Sequence, residues 1–191
     1  MTVASTRKLT AMAVLLALTA AALAAPSAPR RSPELNIYEP SGKQTLQLSG
    51  FKGKVVVIEF LFLKSAHCLR VAQTLDKLHK ELGPRGFQPI GIVFGPDSES
   101  AVASFTRYFK LGYPVGYAAA GEVDGYLGRD KNEVLNIPQI VVIDRAGMIR
   151  AQNGSRYDIA LENEDSLRNL LDSMLKEDVP RANAKKTTSA R

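Results

Sequence analysis

The feature that most constrains the fold is an apolar run at residues 55–62, in which only Glu59 is charged. The run is rich in β-branched residues, and a strand that is apolar almost throughout must be covered on both of its faces. It is followed closely by Ser65, a residue type that can cap a helix. Apolar residues then recur at helical spacing at Cys68, Val71, Leu75, Leu78 and Leu82. This pattern predicts a central buried strand that leads directly into a helix.

The rest of the chain continues to alternate strands with helices. Further strands are predicted at residues 35–39, 44–48, 87–94, 113–117, 139–144 and 148–152. Further helices are predicted after the turn signal at 96–98, at 122–127 and at 163–176. Helices that alternate with buried strands are typical of α/β proteins, in which crossover connections place helices on both faces of a sheet. We therefore predict a three-layer α/β/α sandwich with a central mixed sheet.

The N-terminal segment has the layout of a secretory signal peptide. Arg7 and Lys8 precede an apolar stretch at residues 11–25 that is short for a membrane span, and Ala22-Leu23-Ala24 offers a small-x-small cleavage site. We predict a signal peptide at 1–24, a flexible linker at 25–33, a globular domain at 34–176 and a disordered basic tail at 177–191. The mature protein is then periplasmic or otherwise extracytoplasmic, without stable membrane insertion. A retained membrane anchor is the alternative.

The charge of the chain gives little support to nucleic-acid binding. Its formal value is +6, and part of it comes from the N-terminal segment and the tail. The Lys and Arg residues form no stripe with interleaved aromatic residues, which is the pattern that nucleic-acid surfaces favour. We therefore predict no nucleic-acid partner.

Cys68 is the only cysteine of the chain. Export normally means an oxidising compartment, and a single cysteine forms no internal disulfide. Cys68 is therefore a reactive thiol, an intermolecular partner or a buried apolar side chain. Together with His67 and His79 it makes a poor metal site, because His79 lies far along the predicted helix and three ligands are rarely met this way. We predict neither a metal nor a cofactor.

Four segments between residues 35 and 176 carry a resemblance to a known family. Residues 51–57 are similar to that family's lead-in to its first central strand, and Glu59 falls where the family has a buried acid. Ser65-Ala66-His67-Cys68 stands at the active-site tetrad, and Ile137-Pro138 precedes an apolar strand as the family's cis-proline does. The chain thus resembles the thioredoxin fold, in the exported bacterial TlpA-like branch of the redoxin (AhpC/TSA-like) superfamily. The resemblance implies that residues 34–176 form a thioredoxin-like domain.

The tetrad departs from the Cys-x-x-Cys pattern of that family. Ser65 stands in place of the nucleophilic cysteine, Lys64 replaces the usual preceding aromatic residue, and the chain has no tryptophan. In a dithiol enzyme the first thiolate attacks a disulfide and the second cysteine resolves the mixed disulfide. Because only the resolving position, Cys68, is kept, this two-step exchange cannot run within one chain.

The resemblance also implies roles for single residues. Cys68 would lie in the first helical turn, where the helix N-terminus, His67 and Lys64 favour a thiolate, unless it faces inward and is inert. In the family the acid at Glu59 relays protons to the second cysteine; the alternative is a carboxylate paired with Lys64 or Lys80. His67 tunes the thiol or is an exposed residue without a role. Ile137, Pro138 and Lys64 would line the groove in which extended substrates lie.

Three functions remain open at this stage. The first is thiol–disulfide redox chemistry through one cysteine, by a mixed disulfide with a partner protein or a low-molecular-weight thiol, and it makes the chain a thiol-dependent oxidoreductase. The second is a non-catalytic binding or chaperone-like module that keeps only the fold and the groove. The third is a peroxiredoxin-like peroxidase, because Ser65-x-x-Cys68 fits that family's pattern although Leu61 stands where it has a proline. Its activating arginine would be Arg70 or Arg129.

Overall fold

The computed structural model describes residues 29–40, 45–95, 99–130, 132–153 and 159–177. The predicted signal peptide and all of the predicted tail except residue 177 lie outside these residues. The strands are β1 (Arg30–Arg31), β2 (Asn36–Tyr38), β3 (Thr45–Gln47), β4 (Val55–Leu61), β5 (Phe87–Val93), β6 (Val115–Tyr117), β7 (Gln139–Ile143) and β8 (Met148–Gln152). The helices are α1 (Ala66–Leu82), α2 (Glu99–Phe109), α3 (Ala120–Leu127) and α4 (Glu164–Lys176).

All eight strands belong to one mixed sheet, in the order β1-β8-β7-β4-β5-β6-β2-β3. The central strand β4 pairs parallel with β5 and antiparallel with β7, and each of its seven residues is buried. Alternate side chains of β4 point to opposite faces, as the pleat requires. Val55, Val57 and Leu61 join a core with α1, α2 and α4, whereas Val56, Ile58 and Phe60 join a second core with α3. The predicted three-layer α/β architecture is confirmed.

Helix α1 begins where the sequence predicts. The hydroxyl of Ser65 accepts a hydrogen bond from the backbone N–H of Cys68 at 3.3 Å, which satisfies one of the free donors at the helix start. The inward face carries the predicted apolar residues, and the α-helix ends before a short 3₁₀ turn at Gly83–Arg85, where a proline cannot continue the hydrogen bonding. Only residues 62–65 separate β4 from α1, so the first turn of α1 lies at the carboxyl end of the central strand.

The prediction of a flexible linker is wrong for residues 30–32. Arg30 and Arg31 form β1, which pairs antiparallel with β8 at one edge of the sheet. The guanidinium of Arg30 donates to the carbonyl of Tyr126 and to the side chain of Gln152, both at 2.9 Å. The N–H of Ser32 donates to the carbonyl of Gly147 at 2.9 Å. These partners lie about a hundred residues away along the chain, so the local composition gave no sign of them.

Candidate active site

Cys68 lies in the first turn of α1 and points into the core. Its exposed fraction is 0%, and it packs in the same cluster as Val71 and Leu75. Burial raises the pKa of the Cys68 thiol, although hydrogen bonds from the Ser65 hydroxyl and from the backbone of Phe62 and of Cys68 itself act in the opposite direction. The thiol is therefore protonated at neutral pH, as the inward-facing alternative implied.

Glu59 lies in the middle of β4, between Gly91 of β5 and Ile140 of β7. It is fully buried, and neither of its carboxylate oxygens has a hydrogen-bond partner within the described part of the chain. Burial and, second, the charge of Glu162 raise the pKa of Glu59 well above its usual range. The charge of Glu59 in turn contributes to the raised pKa of Cys68, so the two groups lie close enough to act on each other.

The alternative pairing of Glu59 with a lysine is wrong. The ammonium of Lys80 lies 2.6 Å from the carboxylate of Asp76, one helical turn away on α1. Lys64 is exposed at the surface. A buried carboxylate without a cation or a donor is costly to keep, and such groups are found more often at functional sites than in structural cores.

His67 pairs with a buried carboxylate, so it is not an exposed residue without a role. Its Nε2 atom lies 2.5 Å from Oε2 of Glu162, whose side chain is only 5% exposed. The other oxygen of Glu162 accepts a hydrogen bond from Asn153 at 3.3 Å. Asn153 forms two hydrogen bonds with the backbone of Ile140. The N–H of Ile140 donates to Oδ1 of Asn153 at 2.9 Å, and the backbone N–H of Asn153 donates to the carbonyl of Ile140 at 3.1 Å.

Sequence reasoning missed Glu162 and Asn153. Glu162 precedes α4 and Asn153 follows β8, so both lie far from the tetrad along the chain. Neither residue forms part of a spaced motif, and only the folded arrangement brings them to His67 and to the strand beside Glu59.

The predicted groove residues lie next to the tetrad. Gln139 pairs with Phe60, so Pro138 stands level with Leu61, beside the turn that leads to Cys68. The peptide bond between Ile137 and Pro138 is cis. Ile137 is half-buried and contacts both cores, and Lys64 is exposed. In the loop before Ile137, the side chain of Val134 is 80% exposed.

Arg70 and Arg129, the two candidates for the activating arginine of a peroxidase, do not bind the thiol of Cys68. Arg129 binds the carboxylate of Asp124 at 2.5 and 3.0 Å and the carbonyls of Asp130 and Glu133 at 3.1 and 2.5 Å, which ties down the loop after α3. Arg70 is exposed on α1. No cluster of three or more potential metal ligands occurs among the residues that the structure describes.

The tetrad lies at the carboxyl end of the central strand, with a buried acid beneath it and a cis-proline beside it. This arrangement defines a thioredoxin-fold redoxin. The sequence model of the AhpC/TSA family matches residues 30–152. The chain therefore belongs to the AhpC/TSA family, and the resemblance stated from the sequence is confirmed. A search of curated proteins finds no match.

Solved structures give the same fold. A thioredoxin-family thiol:disulfide interchange protein from Chlorobium tepidum TLS is 20% identical, with a TM-score of 0.64 over 79% of this chain and 99% of its own. A thiol:disulfide interchange protein from a Bacteroides species is 19% identical, with a TM-score of 0.63 over 84% and 93%. A candidate protein disulfide isomerase from Bacteroides thetaiotaomicron is 26% identical, with a TM-score of 0.61 over 81% and 96%.

Proposed function

We propose that this protein is an exported thiol-dependent oxidoreductase that works through Cys68 alone, by a mixed disulfide with a partner protein or a small thiol. The observation that carries the proposal is the Glu59 carboxyl, which has no hydrogen-bond partner among the described residues and lies near the only thiol of the chain. A protein that kept the fold only for its shape would gain stability by replacing this acid with an apolar residue. Two of the structural relatives are thiol:disulfide interchange proteins, which supports the same chemistry.

The proposed exchange passes through one mixed disulfide on Cys68. Glu59 takes the proton from Sγ of Cys68, and the thiolate attacks one sulfur of a substrate disulfide. The S–S bond breaks, the second sulfur leaves as a thiolate and takes up a proton, and Cys68 is held in a mixed disulfide. A second thiolate then attacks that mixed disulfide, and Cys68 leaves as a thiolate that recovers its proton from Glu59. The oxidising equivalent passes from one thiol to another with no net change at Cys68.

The acid–base match favours Glu59 for this transfer. Proton transfer works best when the pKa of the catalytic group is near the working pH, and burial moves the pKa of Glu59 upwards in that direction. Ser65 is not a nucleophile here, because an unassisted hydroxyl stays protonated near neutrality. Its hydroxyl forms a hydrogen bond that lowers the pKa of Cys68 and so helps to hold the thiolate.

Access to Cys68 requires movement, because the side chain is fully buried. The first turn of α1 is the segment that must open, and helix ends open at a lower free-energy cost than the rest of a fold. The partner would lie along Ile137, Pro138 and Lys64, where the exposed side chain of Val134 adds apolar surface.

The proposed location is the periplasm or another extracytoplasmic compartment. The N-terminal sequence has the features of a signal peptide, and disulfide chemistry belongs to oxidising compartments. None of the helices in the described ranges is long and apolar enough to cross a bilayer.

A second candidate function is a non-catalytic binding module. The complete burial of Cys68 favours it, because a thiol that never reaches solvent does no exchange chemistry. The groove beside Pro138 needs no thiol in order to hold an extended segment.

Incubation of the native protein with glutathione disulfide separates the two functions. The oxidoreductase forms a glutathione adduct on Cys68, detected by intact mass, and Cys68→Ser forms none. Glu59→Gln forms it at least tenfold more slowly. Two effects of Glu59→Gln oppose each other. Removal of the Glu59 charge makes Cys68 easier to ionise, by about tenfold per unit of pKa. Loss of the general base slows adduct formation by about 10² or more, which is the larger effect. An adduct that appears only after unfolding leaves the binding module as the function.

A further inference from the structure

A cleft lies on one face of the sheet at the amino end of β4, away from the tetrad. Helix α3 packs against the carboxyl half of this face, where the rings of Phe60 and Tyr126 lie 5.6 Å apart. At the other end of the strand, Val56 pairs with Ile143 of β7, and both side chains belong to the same core. Beside this pair the structure leaves a cleft of about 200 Å³, bounded by the 3₁₀ turn Leu48–Phe51 and by the segment after β1. We call it the basal cleft.

The floor of the basal cleft is apolar. Leu48, Val56 and Ile143 are at most 9% exposed, and Phe51 is half-buried. An apolar cavity of about 150 Å³ holds a benzene ring. The basal cleft therefore has room for an apolar body slightly larger than that ring, and every residue that lines it lies in the described ranges.

Positive charge stands at the mouth of the basal cleft. Lys52 and Lys54 both line it. The ammonium of Lys54 donates to Oε1 of Gln88 at 3.1 Å, and this neutral partner holds the charge in place without cancelling it. Neither lysine forms an ion pair with any residue that the structure describes. Their charges are therefore available to a ligand.

The two carboxylates that line the basal cleft already have partners. Glu34 accepts a hydrogen bond from the backbone N–H of Ser49 at 3.1 Å. Asp144 accepts from two backbone N–H groups of the turn that follows it, and it pairs with Arg150 at 3.2 Å. Because Arg150 balances Asp144, the two lysines face only the charge of Glu34, and an anion at the mouth is attracted.

We propose that the basal cleft binds a small amphipathic carboxylate. The apolar part of the ligand packs on Val56 and Ile143, and its carboxylate lies beside Lys52 and Lys54. The volume limits the apolar part to about the size of a phenyl group with a short chain. An inorganic anion would leave the apolar floor unfilled, and a neutral molecule would leave the lysines without a counter-charge. Binding here does not involve Cys68, so it does not depend on the proposed function.

The test is a titration of the full chain with phenylpropionate, followed by ¹⁵N–¹H NMR. We expect shifts of the amide signals at residues 48–54 and 143–147, and none at 65–68. Phenylpropanol has the same apolar body without the charge, so we expect it to bind several-fold more weakly. The double variant Lys52→Gln/Lys54→Gln binds phenylpropionate about three- to thirtyfold more weakly, the range that two partly exposed ion pairs contribute. It binds phenylpropanol as the native protein does.

Lys110→Gln is the matched control, because it removes one exposed charge just after α2, far from the basal cleft along the chain. We expect its affinity for phenylpropionate to equal that of the native protein. Shifts spread over the whole surface, or an unchanged affinity in the double variant, would overturn the proposal. If the double variant does not fold, the two ligands carry the test, and equal affinities for them would overturn it. Binding to phosphatidylglycerol vesicles with no cleft shifts from phenylpropionate would assign the lysines to a membrane surface instead.

Discussion

At the scale of single residues, the chemistry is defined by two buried groups at the junction of β4 and α1. Cys68 is a protonated thiol at a helix start, and below it lies the carboxyl of Glu59, which has no hydrogen-bond partner in the part of the chain that the structure describes. A charge on either group makes the other group harder to ionise. The state in which Cys68 and Glu59 together hold one proton is therefore favoured over the state in which both are charged. The sequence placed both residues correctly, because an acid inside an apolar run and a thiol at a helix cap are local signals.

The cost of keeping Glu59 predicts a pH-dependent gain in stability for Glu59→Leu. The pKa of Glu59 is raised in the folded state, so as the pH rises above about 4.3 the unfolded state loses its proton first and the free energy of unfolding falls. We expect Glu59→Leu to be more stable than the native protein by about 1–3 kcal/mol at pH 8 and by less at pH 4. Urea unfolding at both values measures the difference. Glu59→Gln loses the same contribution, so its free energy of unfolding falls less from pH 4 to pH 8 than that of the native protein. An identical pH dependence in the two proteins would contradict the assignment.

Ser65 has two separable roles, and two substitutions distinguish them. Ser65→Ala loses the cap of α1, which costs about 1 kcal/mol of stability, and it also loses the hydrogen bond that lowers the pKa of Cys68. Ser65→Asp keeps a capping oxygen but has no hydroxyl proton to donate. We expect Ser65→Asp to recover most of the stability while Cys68 reacts more slowly in both variants, measured by urea unfolding and by alkylation rate. Full recovery of the thiol rate in Ser65→Asp would show that the hydroxyl has no electrostatic role.

At the scale of elements, local patterns predicted the parts of the fold that are continuous in sequence. The capped helix α1, the buried strands β4 and β5 and the β7–β8 hairpin follow from period and turn residues. The edge strand β1 did not, because two arginines in a Pro- and Ser-rich stretch have no strand pattern. What holds β1 is the pairing of Arg30 with groups on α3 and β8, which no local window contains.

The junction of β2 and β6 depends on the absence of a side chain at Gly116. A Cβ atom there would lie 2.6 Å from Cγ2 of Ile37 and 2.7 Å from the carbonyl oxygen of Tyr38. Because one of these contacts is with backbone, the clash is relieved only by moving β2, and we expect Gly116→Ala to lose about 2–4 kcal/mol or more. Gly121 on α3 has open space around it, so Gly121→Ala stabilises the protein by about 0.5–1 kcal/mol. Thermal unfolding of both variants checks the contrast, and equal effects would contradict it.

At the scale of the whole molecule, the site is assembled from elements that are distant in sequence. Four segments meet at the carboxyl end of the central strand β4. They are the end of β4 itself, the first turn of α1, the cis-proline before β7 and the segment before α4. The first three follow from sequence motifs, because the resemblance orders them along the chain. Glu162 and Asn153 could not be predicted, because their role depends on packing between β8 and α4. Family membership fixes the architecture, and the chemistry depends on which side chains this chain has kept.

Restoring the missing thiol tests whether the scaffold still supports dithiol exchange. Ser65 caps α1 with its Oγ atom 3.3 Å from the N–H of Cys68, so a cysteine at this position would place a second sulfur at the helix start, where the thiolate is stabilised. We expect Ser65→Cys to gain turnover in an insulin-reduction assay with dithiothreitol, whereas the native chain shows none above Cys68→Ser. Equal activity of the native chain and Ser65→Cys would contradict the single-cysteine mechanism.

The reactivity of Cys68 in the folded protein decides whether this residue is a working thiol or a structural side chain. Iodoacetamide alkylation is followed from pH 6 to 9 in native protein, in urea-unfolded protein and in Glu59→Gln. We expect native Cys68 to react more slowly than the unfolded thiol but far faster than global unfolding allows. Its rate is still rising at pH 9, because the pKa of Cys68 lies above the ordinary thiol value, and Glu59→Gln slows it further. A native rate equal to the rate of global unfolding, unchanged by Glu59→Gln, would show that Cys68 is a structural residue.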